Sequence, residues 1–593
     1  MSIQSNSPAI KPTLLLDFAN VKQLDPRITF SRASTATYYG TQTAKAEENL
    51  LLQSQDFNEN AWQKTEVTAT ANSIAAPDGT TTADTLTNTT VNTLHIAFQA
   101  ATLNGQAYAF SVFAKKGTAD FVFLRGSDGT SARQAWFNLA TGAVGTVETN
   151  ITASITDVGN GWYRCVGVWS ISSSASTNYS VGISEANGVS SYAGTSKDIY
   201  VWGAQLEQRS AVTAYTPTTT QPITNYVSQL QTAASGVARF DHNPITDESL
   251  GLLIEEQRAN LCLQSENFAT TWTTSQASIT TNTVIAPDGT LTGDKLVEDT
   301  ATSIHVVQQV ISFTTGTTSS FSVYVKAAER TRINIQAATS ATFGISANFD
   351  LSNGTVISAI LGSASIQSVG NGWYRCTATG ASTQTASTNI RINLISSGTT
   401  VSYTGNGYSG VFLWGAQLEA GAFPTSYIPT VASQVTRSRD DASMTGANFS
   451  SWYNQAEGTV YSEYSARNGG RAFMFDDGST NNRFEIRFTS NTSQLSSWSG
   501  NIQQISSLFA PTATGLPEGV MLKASAGLLL NDAATTANGV SPGVDTSCLM
   551  PLALSRAFLG SFQGTSTFLN GHIRKLSYYP LRVTNAQLQA LTS

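Results

Sequence analysis

Carboxylates at repeated positions are the first residues of this sequence that could do chemistry. Asp78 and Asp84 lie in and just beyond an Ala-Pro-Asp-Gly-Thr turn, and Asp288 and Asp294 hold the same places in a second copy of that turn. Ca²⁺ takes about six to eight oxygen ligands, and loop carboxylates are among those it prefers. An Asp-Gly pair also makes a turn by itself, with the aspartate capping its own backbone. The sequence favours the turn, and a calcium site at these four residues remains a hypothesis.

Aromatic residues are the second group whose side chains could bind a ligand. A sugar platform needs an exposed ring face for the C–H groups of a pyranose, with amides or carboxylates around it. Trp62 and Trp272 occupy matching places in two halves of the chain, as do Trp202 and Trp414. Aromatic rings kept in both copies more often fill a core. The expected ligand-binding residues are therefore aromatics present in one copy or near the C terminus, namely Trp136, Trp169, Trp452, Tyr453 and Trp498.

The sequence gives no support for catalysis. His95 and His305 share a position, but neither has a second His or Cys close in sequence to act with it, and a general base needs partners. Serine-hydrolase and zinc-protease motifs are absent from the sequence. We therefore expect no enzyme, although the 39 acidic residues leave a pair of glycosidase carboxylates open as an alternative.

A duplicated hairpin shows which elements must position these residues. The string Val-Gly-Asn-Gly-Trp-Tyr-Arg-Cys occurs unchanged at 158–165 and at 369–376. Gly-Asn-Gly is a turn signal that tolerates positive φ, and an aromatic-rich strand follows it. The chain therefore contains the domain around this hairpin twice.

Composition predicts the fold class. Charged residues make up 12% of the chain, which has 26 Phe, 19 Tyr and 10 Trp, and this balance is typical of short antiparallel strands. We predict an all-β protein of tandem antiparallel β-sandwiches, with two duplicated jelly rolls and a third, lectin-like sandwich. The predicted segments are an N-terminal attachment arm, the first repeat, a connector, the second repeat and the last sandwich, at 1–45, 46–218, 219–257, 258–436 and 437–593.

Charge and hydropathy exclude several classes of partner. The net charge of −7 is spread thinly and no basic stripe is present, so nucleic acid is not an expected partner. No apolar segment reaches the roughly 18 residues that a membrane span needs. The N-terminal residues lack the basic flank and apolar core of a secretory signal, and the four cysteines are too few for a disulfide framework.

The motifs together resemble a known group of proteins. The Pro-Asp-Gly-Thr turn, the repeated hairpin, Trp-Gly-Ala-Gln-Leu-Glu at 202–207 and 414–419, and the Tyr-x-Pro-Thr endings resemble repeat domains of tailed-bacteriophage structural proteins, including tail fibres. They are also similar to carbohydrate-binding-module jelly rolls. The last unit, with Leu-Asn-Gly-His-Ile at 569–573, resembles a concanavalin-A or laminin-G type sandwich. The resemblance to phage repeat domains covers both repeats, which are most of the chain.

The resemblance implies a virion protein made in the host cytoplasm without a signal peptide. The leading expectation is a tail fibre or receptor-binding protein that attaches to a host surface polysaccharide. Its N-terminal arm would contact other virion proteins, and the assembly would be a homotrimer. The alternatives are a head fibre or capsid decoration protein without a ligand, and a glycan depolymerase.

Calcium is the one cofactor that the resemblance brings into question. Related sugar-binding jelly rolls often use paired aspartates in their last strand to hold this ion. The corresponding strands here, at 201–205 and 411–415, contain no aspartate pair. We therefore expect no cofactor, apart from the calcium hypothesis at the four turn aspartates.

Overall fold

The computed structural model describes residues 11–103, 106–170, 175–338, 340–467, 469–489, 491–509 and 518–593. The chain divides into two compact units, and both are discontinuous in sequence. The terminal unit consists of Met1–Gln42, Gln229–Leu263 and Gln417–Ser593. The repeat unit consists of Thr43–Ser228 and Gln264–Ala416.

The residues that the structure describes form 47 strands and four short helices. Up to the start of the second repeat the elements are β1 (Leu14–Asp17), α1 (Phe18–Val21), β2 (Thr29–Ser31), β3 (Ala36–Asn49), β4 (Gln63–Thr65), β5 (Val67–Ile74), β6 (Ala83–Asn88), β7 (Asn92–Leu94), β8 (Ile96–Leu103), β9 (Ala107–Lys116), β10 (Phe121–Ser127), β11 (Ala132–Asn138), β12 (Ala143–Val147), β13 (Ile151–Asp157), β14 (Trp162–Ser170), β15 (Ala175–Ser184), β16 (Ser191–Ala193), β17 (Asp198–Glu207), β18 (Ile223–Ala233), β19 (Phe240–His242) and β20 (Ser249–Ile254).

The second repeat and the last sandwich supply the remaining elements. They are β21 (Arg258–Asn260), β22 (Thr273–Ser275), β23 (Ala277–Val284), β24 (Gly293–Glu298), β25 (Thr302–Ile304), β26 (Val306–Phe313), β27 (Thr318–Ala327), β28 (Arg332–Ala337), α2 (Ser340–Phe343), β29 (Ser346–Asp350), β30 (Thr355–Leu361), β31 (Ser363–Gly370), β32 (Trp373–Ala381), β33 (Ala386–Ile395), β34 (Ser402–Thr404), β35 (Gly410–Ala420), β36 (Val435–Arg437), β37 (Asp441–Thr445), α3 (Ala447–Ser450), β38 (Glu457–Tyr464), β39 (Arg471–Asp476), β40 (Arg483–Thr489), β41 (Thr492–Ser499), β42 (Ile502–Phe509), β43 (Leu522–Leu529), β44 (Asp532–Ala537), β45 (Gly543–Asp545), β46 (Arg556–Leu559), β47 (Gly571–Tyr579) and α4 (Asn585–Thr592).

Each repeat is a sandwich of two six-stranded antiparallel sheets. The first repeat has the orders β12-β11-β10-β15-β8-β4 and β13-β14-β9-β17-β6-β5, and the second has β30-β29-β28-β33-β26-β22 and β31-β32-β27-β35-β24-β23. The two repeats therefore match strand for strand. The predicted all-β fold of tandem antiparallel sandwiches is confirmed.

The repeated hairpin depends on three successive residues with positive φ. Gly159, Asn160 and Gly161 have φ of 89°, 55° and 75°, a conformation that glycine and asparagine tolerate best. The cysteines at the ends of both copies are buried, with burial raising the pKa of the Cys165 thiol. The arginine before it stacks over Phe113, with Cζ 5.3 Å from the ring centroid.

The terminal sandwich is assembled from three distant stretches of sequence. One sheet has the order β19-β20-β47-β38-β43-β44-β45, with β1 also paired to β47, and the other has the order β2-β37-β46-β39-β40-β41-β42. Leu14 pairs with Tyr578, and Leu252 pairs with Ile573 further along the same strand. The predicted arm at 1–45 and connector at 219–257 thus supply strands to this sandwich. A stretch this short cannot bury a core alone, so its apolar residues join the larger core.

Each repeat begins and ends at a pair of strands that form a small sheet of their own. The first repeat follows β3 and returns through β18, and the second follows β21 and returns through β36. In the second pair Arg258 lies opposite Arg437. The repeats are therefore insertions between strands of the terminal sandwich.

A buried network of charges joins the three stretches of the terminal unit. The carboxylate of Asp440 accepts from Arg32 at 3.0 Å and from Arg239 at 2.5 Å, and all three side chains are fully buried. Arg239 also pairs with Glu255 at 2.8 Å. Burial opposes the charge on Arg239, but Asp440 and Glu255 raise the pKa of its guanidinium. The network links residues about 200 and 400 positions apart in sequence.

No helix among the described residues is long and apolar enough to span a membrane.

Candidate functional site

The two tryptophans proposed in the first repeat are buried. Trp136 is 2% exposed and Trp169 is fully buried. Trp136 packs against Phe123, and its indole N–H donates to the carbonyl of Val189 at 3.2 Å. Trp169 belongs to the core between the two sheets of the repeat. Neither ring offers a free face to a sugar, because loop backbone or core side chains already cover it.

The aromatic pair at 452 and 453 belongs to the core of the terminal sandwich. Trp452 is 3% exposed, and its ring contacts Phe475 and Tyr578. Tyr453 is half-buried, with ring centroids 4.7 Å from Phe449 and 5.4 Å from Tyr578. Burial raises the pKa of the Tyr453 hydroxyl. These rings pack against each other, so the structure does not bring them to a ligand surface.

The aspartates in the two turns cap their own backbones. Asp78 accepts from the backbone N–H of Thr80 at 2.9 Å and from its hydroxyl at 2.6 Å. Asp288 makes the same two bonds to Thr290, at 2.9 and 2.7 Å. This is the turn geometry that the sequence favours.

The buried aspartates tie loops to the sandwich. Asp84 accepts from the backbone N–H of Phe57 at 2.6 Å and from that of Asn72 at 2.9 Å, and Asp294 makes the equivalent bonds in the second repeat. Burial raises the pKa of Asp84 to about 6 and raises that of Asp294, despite the two N–H donors that each carboxylate accepts from. Within the described ranges, no three His, Cys, Asp or Glu side chains come together as a group that could hold a metal ion.

Trp498 is the proposed ligand residue that lies on the outer face of a sheet, where its ring is half-buried. The strand Arg483-Phe484-Glu485-Ile486-Arg487-Phe488 alternates, and its three apolar side chains enter the core. Its charged side chains must therefore lie on the outer face of the seven-stranded sheet. Arg483 pairs with Trp498 on β41 and with Asp476 on β39, and Glu485 pairs with Ser496. We call this surface the polar face, which consists of Arg471, Asp476, Arg483, Glu485, Gln494, Ser496, Trp498 and Arg556.

A stack of alternating charge and aromatic rings lies on the polar face. The guanidinium of Arg483 lies 3.2 Å from the ring centroid of Trp498 and 5.8 Å from that of Phe562. Phe562 belongs to the loop between β46 and β47, and Arg471 also lies over its ring, at 4.7 Å. Both aromatic rings are half-buried. The cation–π contacts hold Arg483 and keep an aromatic surface at the edge of the face.

Two buried carboxylates on the polar face are paired with arginines. Arg471 donates to Glu485 at 2.6 Å, and Arg556 pairs with Asp476. Both carboxylates are fully buried. These charge-assisted bonds fix the carboxylates in place.

Among the residues that the structure describes, several buried polar atoms of the polar face have no hydrogen-bond partner. They are Oε1 of Glu485, Oε1 of Gln494, Oγ of Ser496 and Nε of Arg483. Buried polar atoms in folded proteins are nearly always paired, so a group of four on one face makes this surface a candidate for binding a ligand. Acceptors, a hydroxyl, a guanidinium and aromatic rings together are what a hydroxyl-rich ring compound requires.

The second repeat has a different polar surface on its β30-to-β22 sheet. Asn393 donates to Asn334 at 2.8 Å, Asn334 donates to Asn348 at 2.8 Å, and Asn348 donates to Ser358 at 3.0 Å. We call this row the amide ladder. In the aligned sheet of the first repeat, the face holds the apolar cluster of Phe123 and Trp136. The duplicated sandwiches therefore have different chemistry on the same face.

A shallow cavity of about 380 Å³ lies on the terminal sandwich near its C-terminal helix, between residues such as Glu463, Lys523 and Arg574. Arg574 pairs with Glu463 at 3.2 Å. Lys523 donates to the carbonyl oxygen of Ser593 at 2.7 Å. Because these charges already have partners, the cavity is a weaker candidate than the polar face.

Fold and site together define a tandem β-sandwich protein with a polar surface on its terminal sandwich. No family model matches the sequence, and no curated protein is similar to it. Among solved structures, the tandem CBM22 domains of Xyn10C from Paenibacillus barcinonensis match with 12% identity and a TM-score of 0.19, covering 64% of this chain and all of theirs. Laminin α1 domains LG4-5 from mouse match with 8% identity and a TM-score of 0.19, over 49% of this chain and 88% of theirs. The sialidase of Trypanosoma rangeli in complex with sialic acid matches with 11% identity and a TM-score of 0.20, over 93% and 98%. At these TM-scores the similarities carry no argument about the fold or the role of this chain.

Sequence reasoning selected Trp498 and missed the charged residues around it. The alternation of Arg483, Glu485 and Arg487 with aromatic and aliphatic residues is the signal that could have found them. Charges at every second position of a strand must share one face. The two arginines of β39 and β46 carry no comparable signal, since their strands reach the polar face only through long-range pairing.

Proposed function

We propose that this chain is a structural protein of a tailed-bacteriophage virion, a tail fibre or receptor-binding protein that attaches to glycans on the host surface. The terminal sandwich makes the glycan contact through its polar face. The motifs of the two repeats support the virion role by resemblance.

One observation carries the glycan-binding proposal. Trp498 presents a half-buried ring beside the unpartnered Oε1 of Glu485 and Oγ of Ser496. A pyranose ring has an apolar C–H face for the tryptophan and hydroxyl groups for the acceptors. Such a ligand would satisfy buried polar atoms that otherwise cost free energy.

The proposed assembly is a homotrimer bound to other virion proteins through the N-terminal stretch at 1–45. Several copies of a weak sugar site on one particle raise the effective concentration of the second binding event. Because β1 and β2 pair with strands of the terminal sandwich, deleting the N-terminal stretch would also damage that sandwich. Tests of attachment therefore need substitutions of exposed residues.

Binding of purified full-length protein to a panel of bacterial surface polysaccharides tests the proposal. Trp498→Ala is expected to weaken binding at least about tenfold, the effect of losing one stacking contact of about 1.4 kcal/mol. Arg574→Ala is the matched control, since this half-buried arginine lies on the opposite sheet of the same sandwich. Equal binding by wild type and the Trp498 variant would contradict the assignment of the site.

The same panel separates the alternatives. A head fibre or decoration protein without a ligand would bind none of the polysaccharides. A depolymerase would release reducing ends, and Glu485→Gln would abolish the release. We expect binding without release.

A further inference from the structure

The charges of the polar face do not balance. Its two buried carboxylates each pair with one arginine, Arg471 with Glu485 and Arg556 with Asp476. Among the described residues, no carboxylate oxygen lies within ion-pair distance of Arg483, and its Nε lacks a hydrogen-bond partner. Arg483 is thus a half-buried cation without a counter-ion in this part of the chain.

The surroundings of Arg483 favour binding of an anion beside its guanidinium. Burial lowers the pKa of its guanidinium. The charge of Glu485 and, less strongly, that of Asp476 oppose this shift, whereas the charges of Arg471 and Arg487 add to it. An arginine stays charged in proteins, and the two nearest carboxylates, Glu485 and Asp476, each pair directly with another arginine. An external anion would relieve the cost of burying this charge and could accept a charge-assisted hydrogen bond.

The neighbouring atoms restrict what kind of anion fits. Oε1 of Glu485 and Oε1 of Gln494 are buried acceptors without partners. A bare sulfate has no hydroxyl to donate to them at neutral pH, and a monohydrogen phosphate has only one. A ring with several hydroxyls has such donors, and its C–H face suits Trp498. The ligand therefore needs a negative group and hydroxyls on one molecule.

We propose that the polar face binds an acidic sugar unit, whose carboxylate or sulfate ester pairs with Arg483 while its hydroxyls donate to Glu485 and Gln494. This inference rests on the proposed glycan-binding function and names its ligand class. The carboxylate and the sulfate ester share the chemistry that the guanidinium recognises, so the test distinguishes between them.

Calorimetric titration of the full-length protein tests the inference with four probes. They are trigalacturonate, its methyl ester, a sulfated galactose trisaccharide and the same trisaccharide without sulfate. At least one charged probe should bind about tenfold or more tightly than its neutral partner. Its binding should also weaken between about 0.05 M and about 0.5 M NaCl, since exposed charge pairs are screened. The charged probe that binds identifies a carboxylate or a sulfate as the recognised group.

Arg483→Gln should remove the preference for the charged probe, whereas Arg574→Gln, the same change on the other sheet, should keep it. Equal binding of charged and neutral probes, or binding of none of them, would overturn the inference. If neutral and charged probes bind equally and both require Trp498, the glycan-binding function stands and the anion preference fails. If no bound sugar depends on Trp498 or Arg483, the proposed site fails as well.

Discussion

Trp498 and Trp169 show how position decides the role of a tryptophan. Both were candidates from sequence, because Trp169 has no tryptophan counterpart in the second repeat and Trp498 belongs to the last sandwich. Trp169 lies between two sheets with the ring of Tyr179 5.7 Å away, at an angle of 89°. Trp498 lies on an outer face against a guanidinium. Sequence alone could not separate them, because the face of a strand is fixed by its partners.

The two tryptophans are expected to respond differently to truncation. Trp169→Ala should lower the free energy of unfolding by about 3–5 kcal/mol, because it leaves a cavity in a closed core. Trp498→Ala should change stability by less than about 1 kcal/mol and act on sugar binding instead. Urea denaturation followed by circular dichroism measures both. A large loss of stability for the Trp498 variant would mean that the ring is structural.

Asp84 is expected to make stability depend on pH. Burial raises its pKa in the folded protein to about 6, against about 3.9 in an unfolded chain. Because the pKa is higher in the folded protein, protonation of Asp84 adds to the free energy of unfolding. This contribution is complete below about pH 4 and is lost as the pH rises through about 6. The wild type should therefore gain stability relative to Asp84→Asn when the pH falls from about 7 to about 4.5.

Urea midpoints of the two proteins at both pH values check this expectation. Asp294→Asn is the matched variant in the second repeat, where burial shifts the pKa in the same direction. If the urea midpoints of wild type and Asp84→Asn differ by the same amount at both pH values, the carboxylate is ionised at both and the expectation is wrong.

At the scale of elements, the repeated hairpin was predictable and the polar face was predictable only in part. Gly-Asn-Gly predicts a turn with positive φ, and all three residues have positive φ in the structure. Arg164 stacks over Phe113 on the neighbouring strand and not over Trp162, two residues away on its own strand. Cross-strand neighbours compete with same-strand ones, and a sequence does not show which strand is adjacent.

The amide ladder is expected to be a stabilising element of the second repeat. Asn334→Ala removes a donor and an acceptor, so the amide N–H of Asn393 and the Oδ1 of Asn348 lose their ladder partners. Each unsatisfied group costs about 1–3 kcal/mol, and thermal or urea unfolding should show the loss. Asn389→Ala is the control, because that half-buried side chain makes none of the ladder's bonds. Equal effects of the two substitutions would contradict a special role for the ladder.

At the scale of the whole molecule, the main departure from expectation is the origin of the terminal sandwich. Landmarks 211 residues apart in the repeats predicted the duplication. Leu14 pairs with Tyr578, near the opposite end of the chain. The local sequence around either residue does not predict this contact. A short apolar stretch such as 14–18 indicates a strand, but the sequence does not reveal which sheet it joins.

The buried charge network should hold the terminal unit together. Asp440→Asn leaves Arg32 and Arg239 buried without their shared counter-ion, and losing one partner of a buried pair costs about 3–5 kcal/mol. Asp120→Asn is the control, because its ion pair with Lys116 is about half exposed and should contribute at most about 1 kcal/mol. Calorimetric unfolding of the full chain measures both. Similar, small effects would show that the network does not stabilise the unit.

Fragments test the same assembly. Residues 437–593 alone lack β1, β2, β19 and β20, so we expect them not to unfold cooperatively. Residues 46–218 contain both sheets of the first repeat and should show a single thermal transition by circular dichroism. Cooperative unfolding of the 437–593 fragment would mean that the two N-terminal stretches are dispensable.

The most direct test of the central claim is a crystal structure of the full-length protein soaked with trigalacturonate. We predict a sugar ring stacked on Trp498, with its carboxylate against Arg483 and a hydroxyl donating to Glu485. Sugar bound at another surface of the molecule, with the polar face empty, would contradict the account.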